Sequence, residues 1–99
     1  LPAPIAGSMF RFVYAGGAAD ATDAIIITPG NTNFYIGGIT FLDTDGNAIS
    51  SVFSNGSSNS SIQFNVPAGF DVTIMGLNTT NYQIFGNATS TTAPAFADQ

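Results

Sequence analysis

The 99-residue chain contains no histidine, cysteine, lysine, glutamate or tryptophan. Six aspartates and a single arginine, Arg11, are its whole charged inventory. Each absence excludes something. Proton transfer near neutral pH is the work of histidine, and an activated nucleophile is usually a cysteine, a lysine, or a serine beside a histidine base. Without these residues the chain is expected not to be an enzyme and to carry no cofactor. Without cysteine there is no disulfide framework, and the fold is independent of redox compartment. One basic residue cannot form the cationic patch that phosphate backbones require, so nucleic acid is not an expected partner. The net charge of −5 likewise disfavours an anionic membrane surface. The longest aliphatic run, Ala24-Ile25-Ile26-Ile27, is far too short to span a bilayer as a helix.

What is present is the material of a folded β domain. Hydrophobic residues make up 44% and aromatics 12% of the chain, which argues against disorder. Charged residues make up 7%, against roughly 25% in ordinary soluble domains. Solubility therefore rests on serine, threonine and asparagine, 29 residues together. Such a surface has little charge repulsion to keep copies apart, and self-association or docking on a partner is expected.

Periodicity predicts an all-β fold, a single-domain antiparallel sandwich or small barrel of about seven short strands with almost no helix. Phe10, Phe12 and Tyr14 alternate with Arg11 and Val13, as do Ile62, Phe64 and Val66 with Gln63 and Asn65, and Phe70, Val72 and Ile74 with Asp71 and Thr73. Ala24 to Thr28 reads as a strand buried on both sides, Phe34 to Leu42 as a longer one interrupted by Gly37-Gly38, and Tyr82 to Phe85 as the last. Ser51 to Phe53 is a weaker candidate. Pro29-Gly30-Asn31, Asp45-Gly46 and Pro67-Ala68-Gly69 mark turns, and Ser54 to Ser60 a polar loop. Only Gly17 to Asp23 has the composition for a turn of helix. Residues 1–87 are expected to form the domain and residues 88–99 an extended C-terminal arm, its one large apolar residue, Phe96, docking on a neighbouring subunit. The opening Leu1-Pro2-Ala3-Pro4 lacks methionine and signal-peptide character, and reads as the start of a mature or ordered portion.

Candidate sites are few. Asp43-Thr44-Asp45-Gly46-Asn47 resembles the opening of a calcium loop, with Asp43, Asp45 and Asn47 as ligands, but Ala48 stands where the sharp-turn glycine belongs and Ser54 where the bidentate glutamate would close it. A hairpin turn accounts for the same residues. Asp20, Asp23 and Asp71 are the carboxylates from which a glycosidase pair would have to be drawn, yet nothing in the spacing joins two of them. Arg11 reads as an interface residue or half of a structural ion pair with an aspartate, within the chain or across a subunit boundary. Gly16-Gly17 and Gly37-Gly38 lack the lysine and helix of a phosphate loop, and fit a bulge or close backbone approach better. Acceptor patterns for glycosylation at Asn55, Asn59, Asn78 and Asn87 follow from composition alone. Tyr14, Tyr35 and Tyr82 with nearby asparagines are the material for a carbohydrate surface, although strand aromatics more often pack a core.

One resemblance runs along nearly the whole chain. It is carried by Leu1-Pro2-Ala3-Pro4-Ile5-Ala6-Gly7, Phe10-Arg11-Phe12-Val13, the aliphatic strand ending in Thr28-Pro29-Gly30, the turn at Asp43 to Asn47, the loop at Ser54 to Ser60, Ile62 to Val66, and the tail Thr92-Ala93-Pro94-Ala95-Phe96-Ala97-Asp98-Gln99. In these features the chain resembles small β-rich capsid decoration, or cement, proteins of tailed bacteriophages of the marine and cyanobacterial type. The family's last strand often carries a tryptophan, where this chain has Tyr82-Gln83-Ile84-Phe85. The resemblance implies a non-enzymatic virion structural protein on the capsid exterior, a homo-oligomer, expected as a trimer, bound to the major capsid protein. The alternative is a receptor- or carbohydrate-binding module of a phage tail fibre or spike.

Overall fold

The computed structural model describes residues 1–16 and 22–99, and these form eight strands in two sheets. β1 (Met9–Tyr14), β6 (Pro67–Gly76), β7 (Asn81–Ser90), β3 (Phe34–Asp43) and β4 (Ala48–Phe53) lie side by side in that order in a five-stranded sheet. β2 (Ala24–Ile27), β5 (Ser61–Phe64) and β8 (Ala95–Ala97) form a three-stranded sheet with β5 central. The sheets face each other across one core of Tyr35, Ile39, Ile62, Phe64, Val72, Ile74, Tyr82, Ile84 and Ala88. The all-β sandwich expected from the alternation is the fold observed, with one difference in direction. β3 runs parallel to β7, so the larger sheet is mixed rather than wholly antiparallel.

The period-two runs bury the residues that their spacing marks. Phe10, Phe12 and Tyr14 of β1 turn inward, as do Val72 and Ile74 of β6 and Ile62 and Phe64 of β5. Each large apolar side chain removed from water in this way stabilises the fold by roughly 1.5–3 kcal/mol. Phe64 of β5 meets Phe70 of β6 edge-to-face across the two layers at 4.3 Å between centroids, and Phe10 meets Tyr82 within the larger sheet at 6.3 Å. The buried hydroxyls of Thr28, Ser60 and Ser90 all have partners. Gln99 Nε2 donates to the Thr28 carbonyl and hydroxyl (3.1 and 3.0 Å) and to the Ser60 carbonyl (2.9 Å).

Four local expectations change. The aliphatic run at Ala24 to Thr28 is an edge strand, and Ile25 and Ile27 are exposed on its outer side. Val66 does not extend β5. It takes a φ of +43°, its N–H bonded to Asp23 Oδ1 (2.9 Å), and at this corner the chain leaves one sheet for the other. Pro67-Ala68-Gly69 is therefore a bulge at the start of β6, not a hairpin loop. The expected arm at 88–99 stays on the body, and a boundary after Asn87 falls inside β7. Ala88 is core, β8 pairs with β5, and Phe96 packs edge-to-face on Tyr35 of the same chain at 6.0 Å. An open partner existed nearby, the free edge of β5 beside the core, and the tail filled it. The possible helical turn at Gly17 to Asp23 lies mostly outside the described residues.

Candidate interaction surface

The outer face of the five-stranded sheet is built by register. Arg11 lies opposite Thr73 and Thr73 opposite Phe85. Gly37 is level with Ile84 across the parallel β3–β7 pair, which brings Gly38 beside Phe85, and Gly38 lies opposite Phe53. One row therefore crosses all five strands: Arg11, Thr73, Phe85, Gly38, Phe53. The next row is Val13, Asp71, Asn87, Thr40 and Ser51. Phe85 and Phe53 are exposed on either side of a glycine, with Met9, Val13 and Ile49 further out on the edge strands of the same face.

Two glycines shape this surface by what they lack. Gly86 has a φ of +137°, and a Cβ there would lie 2.1 Å from the Asp71 carbonyl oxygen. A Cβ on Gly38 would lie 2.3 Å from the Val52 carbonyl oxygen. Backbones meet at both points, as the Gly37-Gly38 pair in a strand implied. The result is two shallow hollows flanking Phe85. One of about 390 Å³ is lined by Arg11, Asp71, Thr73, Phe85, Gly86 and Asn87. The other, of about 340 Å³, lies between Phe85 and Phe53 over Gly37, Gly38, Thr40 and Ser51.

The electrostatics of the face reduce to one pair. Arg11 Nε donates to Asp71 Oδ1 at 2.9 Å and Nη2 to Oδ2 at 2.6 Å, a two-pronged contact diagonal to the β1–β6 register. Hydrogen bonding from Arg11, ahead of its charge, holds the Asp71 carboxyl below its usual range, and the same contact raises the guanidinium. The pair neutralises itself, so this part of the face carries almost no net charge. Of Arg11's two sequence readings, the structure shows the intrachain ion pair, on an open surface.

The other candidates resolve into structural roles. Asp43 Oδ1 accepts the N–H groups of Asp45 and Gly46 (2.9 and 3.2 Å), and Asn47 takes a φ of +50°, which together bend the hairpin between β3 and β4. The carboxylate that would open a calcium loop is thus engaged with its own backbone, and no group of three metal-binding side chains occurs among the described residues. Asp23 accepts from Gln63 Nε2 (2.8 Å) as well as from Val66, Asp71 is held by Arg11, and Asp20 lies outside the described residues. Tyr35 and Tyr82 are fully buried and donate to the carbonyls of Ile26 (3.1 Å) and Pro2 (2.8 Å). Burial pushes both phenols up, Tyr35 more strongly, with Tyr82 beside it adding to the effect. Tyr14 turns inward on Phe70. The tyrosines proposed for a sugar surface therefore belong to the inner side of the sheet. The loop at Ser54 to Ser60 folds on Asn55, whose Oδ1 takes the N–H groups of Ser57, Ser58 and Asn59.

Sequence reasoning missed the Phe85–Gly38–Phe53 row. Its signal was available only in part, as glycines inside apolar strand patterns. The register that aligns Gly38 with Phe85 is set by residues 47 apart. Comparison with known protein families, curated proteins and solved structures finds no match to this chain.

Proposed function

We propose that this chain is a non-enzymatic structural module that binds a protein surface through the outer face of its five-stranded sheet, as a decoration protein on the exterior of a tailed-phage capsid. The observation that carries the proposal is the charge-balanced, glycine-hollowed row in which Phe85 and Phe53 stand exposed. Charge is depleted and aromatic residues enriched at the centres of protein interfaces. Here the Asp43–Asp45 hairpin, the Asp23 corner and Asp98 lie at the ends of strands, away from that row. Apolar area covered on docking contributes about 25 cal/mol per Å², and an icosahedral shell repeats the contact many times. The sequence resemblance supplies the setting, and the lack of histidine, cysteine, lysine and glutamate supports a role by contact. The fibre-module alternative has less behind it, since Tyr35 and Tyr82 are core residues.

The test is co-sedimentation of the purified full chain with capsids stripped of their own decoration, beside a glycan array. Wild-type protein should pellet with the shells, and Phe85→Asp should stay in the supernatant with its fold unchanged. Failure of the wild type to bind any shell, with retention on glycans, would replace this reading by the fibre module.

A further inference from the structure

Four strand edges are left by the two sheets, and three are guarded. β8 is three residues long and runs directly into Asp98. β2 has its outward Ile27 carbonyl taken by the Leu1 amino group at 2.8 Å. β1 carries Arg11, held on Asp71, along its middle. Short length, cover and charge are the devices by which natural sheets prevent edge pairing. β4 has neither the short length nor the charge, and the three-residue β8 that lies near it makes its own ladder with β5. Its sequence, Ala48-Ile49-Ser50-Ser51-Val52-Phe53, is uncharged and free of proline, and its ladder with β3 runs without a bulge.

We infer that β4 pairs antiparallel with β4 of a second copy about a twofold axis through Ser51, joining two five-stranded sheets into one. The backbone fixes the phase. Ser54 N–H donates to Gly37 O at 2.9 Å, and the Val52 carbonyl lies against Gly38, so even-numbered residues of β4 turn their polar groups toward β3. By the alternation of an antiparallel ladder, the N–H and C=O groups of Ile49, Ser51 and Phe53 face the open edge. These are also the residues whose side chains lie on the outer face. A twofold axis perpendicular to the sheet keeps outer face with outer face, so a register that satisfies the hydrogen bonds also satisfies the side chains. With Ser51 on the axis, Ile49 lies opposite Phe53 of the second copy, and the reverse.

That match gives the occupant. Ile49 and Phe53 are the most exposed large apolar residues described, at 73% and 72%. Nothing else in the described chain buries them, and the twofold places each against the other. Charge agrees with the choice. Each copy carries −5, but the acidic hairpin containing Asp43 and Asp45 precedes β4. Antiparallel pairing puts the two hairpins at opposite ends of the joint, on the order of 30 Å apart at about 3.4 Å per residue, beyond the screening length of roughly 8–10 Å. The joint lies at the sheet edge and capsid docking centres on Phe85, two strands away, with Phe53 bordering both; the soluble unit would be a dimer where the family resemblance implies a trimer.

The experiment is sedimentation equilibrium of the full chain up to the millimolar range, with hydrogen exchange read at single amides. The expected result is a monomer–dimer equilibrium, with the Ile49, Ser51 and Phe53 amides gaining protection as concentration rises. Ile49→Lys with Ser51→Lys, both on the exposed face, should weaken association about a hundredfold through like charges at the axis, with an unchanged far-UV spectrum. Ser51→Cys, the sole thiol of its chain, should cross-link to a dimer on mild oxidation, where Ser57→Cys in the neighbouring loop should not. Phe85→Asp should leave the dimer intact, which separates this contact from the docking face. A wild-type monomer throughout, a trimer, equal cross-linking at both cysteines, or capture of only a foreign strand by β4 would each overturn the inference.

Discussion

The close meeting of backbones beside Phe85 can be tested with one alanine at a time. In Gly86→Ala the new methyl would sit 2.1 Å from the Asp71 carbonyl oxygen and 2.8 Å from the Val72 Cα, both on the adjacent strand β6 in the middle of the sheet. Restoring ordinary contact near 3.4 Å requires β6 and β7 to part by about an ångström where both are flanked on two sides. A side chain at φ +137° adds backbone strain of about 1–3 kcal/mol, and the overpacking about as much again. The sum, about 4 kcal/mol, is a large part of the 5–15 kcal/mol that holds an ordinary domain together. It should lower Tm by roughly 16–32 °C in a chain of this size. Gly38→Ala has no positive φ, and its clash with Val52 O at 2.3 Å is with edge strand β4, which has a neighbour on one side only and can shift. About 2 kcal/mol is expected there. Gly7, with φ +83° and open space around it, should cost only the backbone strain, about 1–2 kcal/mol. Gly30, with open space and no such φ, should gain about 0.5 kcal/mol through the unfolded chain. Thermal and urea unfolding of the four variants gives the order directly. Gly86→Ala within 1 kcal/mol of wild type would refute the close approach of β6 and β7, and with it the account of the hollows beside Phe85.

Two further measurements bear on parts of the same picture. The chain has no side chain that titrates between the aspartates and the tyrosines, so urea midpoints should be flat from about pH 5.5 to 7, below the ordinary range of a terminal amine. Tyr35 and Tyr82 are held neutral by burial, so their folded pKa values lie above the unfolded value of 10.0. Their contribution is complete below pH 10 and is lost as pH rises further, by about 1.4 kcal/mol per pH unit for each tyrosine still protonated only in the fold. Midpoints that stay flat through pH 12 would mean the two phenols are solvated. Phe96→Ala should lower monomer stability by about 2 kcal/mol, because the ring is half-buried on Tyr35 of its own chain, and should leave association unchanged. Unchanged unfolding with lost association would instead place Phe96 on a neighbouring subunit.

What could be read from the sequence was local, and what could not was mostly pairing. Alternation named the inward residues of β1, β5 and β6, because a half-buried strand must bury every second side chain. It misjudged Ala24 to Thr28, since a run of isoleucines looks the same on a covered strand and on an edge. Pro67-Ala68-Gly69 carries the turn chemistry of a hairpin whether the next strand pairs with the last or crosses to the other sheet. β4 was faint because serine occupies its centre, and β8 because three small-and-aromatic residues acquire strand geometry only from β5. Arg11 was recognisable as one half of an ion pair, but Asp71 was selected among six aspartates by the β1–β6 register, which the local sequence does not encode.

The same limit explains why composition pointed to a surface role without locating the surface. In a chain with so few charges, their placement is decided mainly by the backbone. Asp43 bends a hairpin, Asp23 holds the corner at Val66, Asp98 receives the Ser54–Ser60 loop through Ser58 and Asn59, and Asp71 closes on Arg11. Each of these carboxylates answers a donor of the fold, and those at corners and loops sit at strand ends, where orphan N–H groups occur. Apart from the Arg11–Asp71 pair, the broad side of the sheet is consequently left to apolar and uncharged polar residues around Phe85 and Phe53. With its other described acids engaged at turns and corners, the sheet keeps only the self-neutralised Arg11–Asp71 pair on its face, and it is the turns, more than the strands, that determine where the uncharged surface lies.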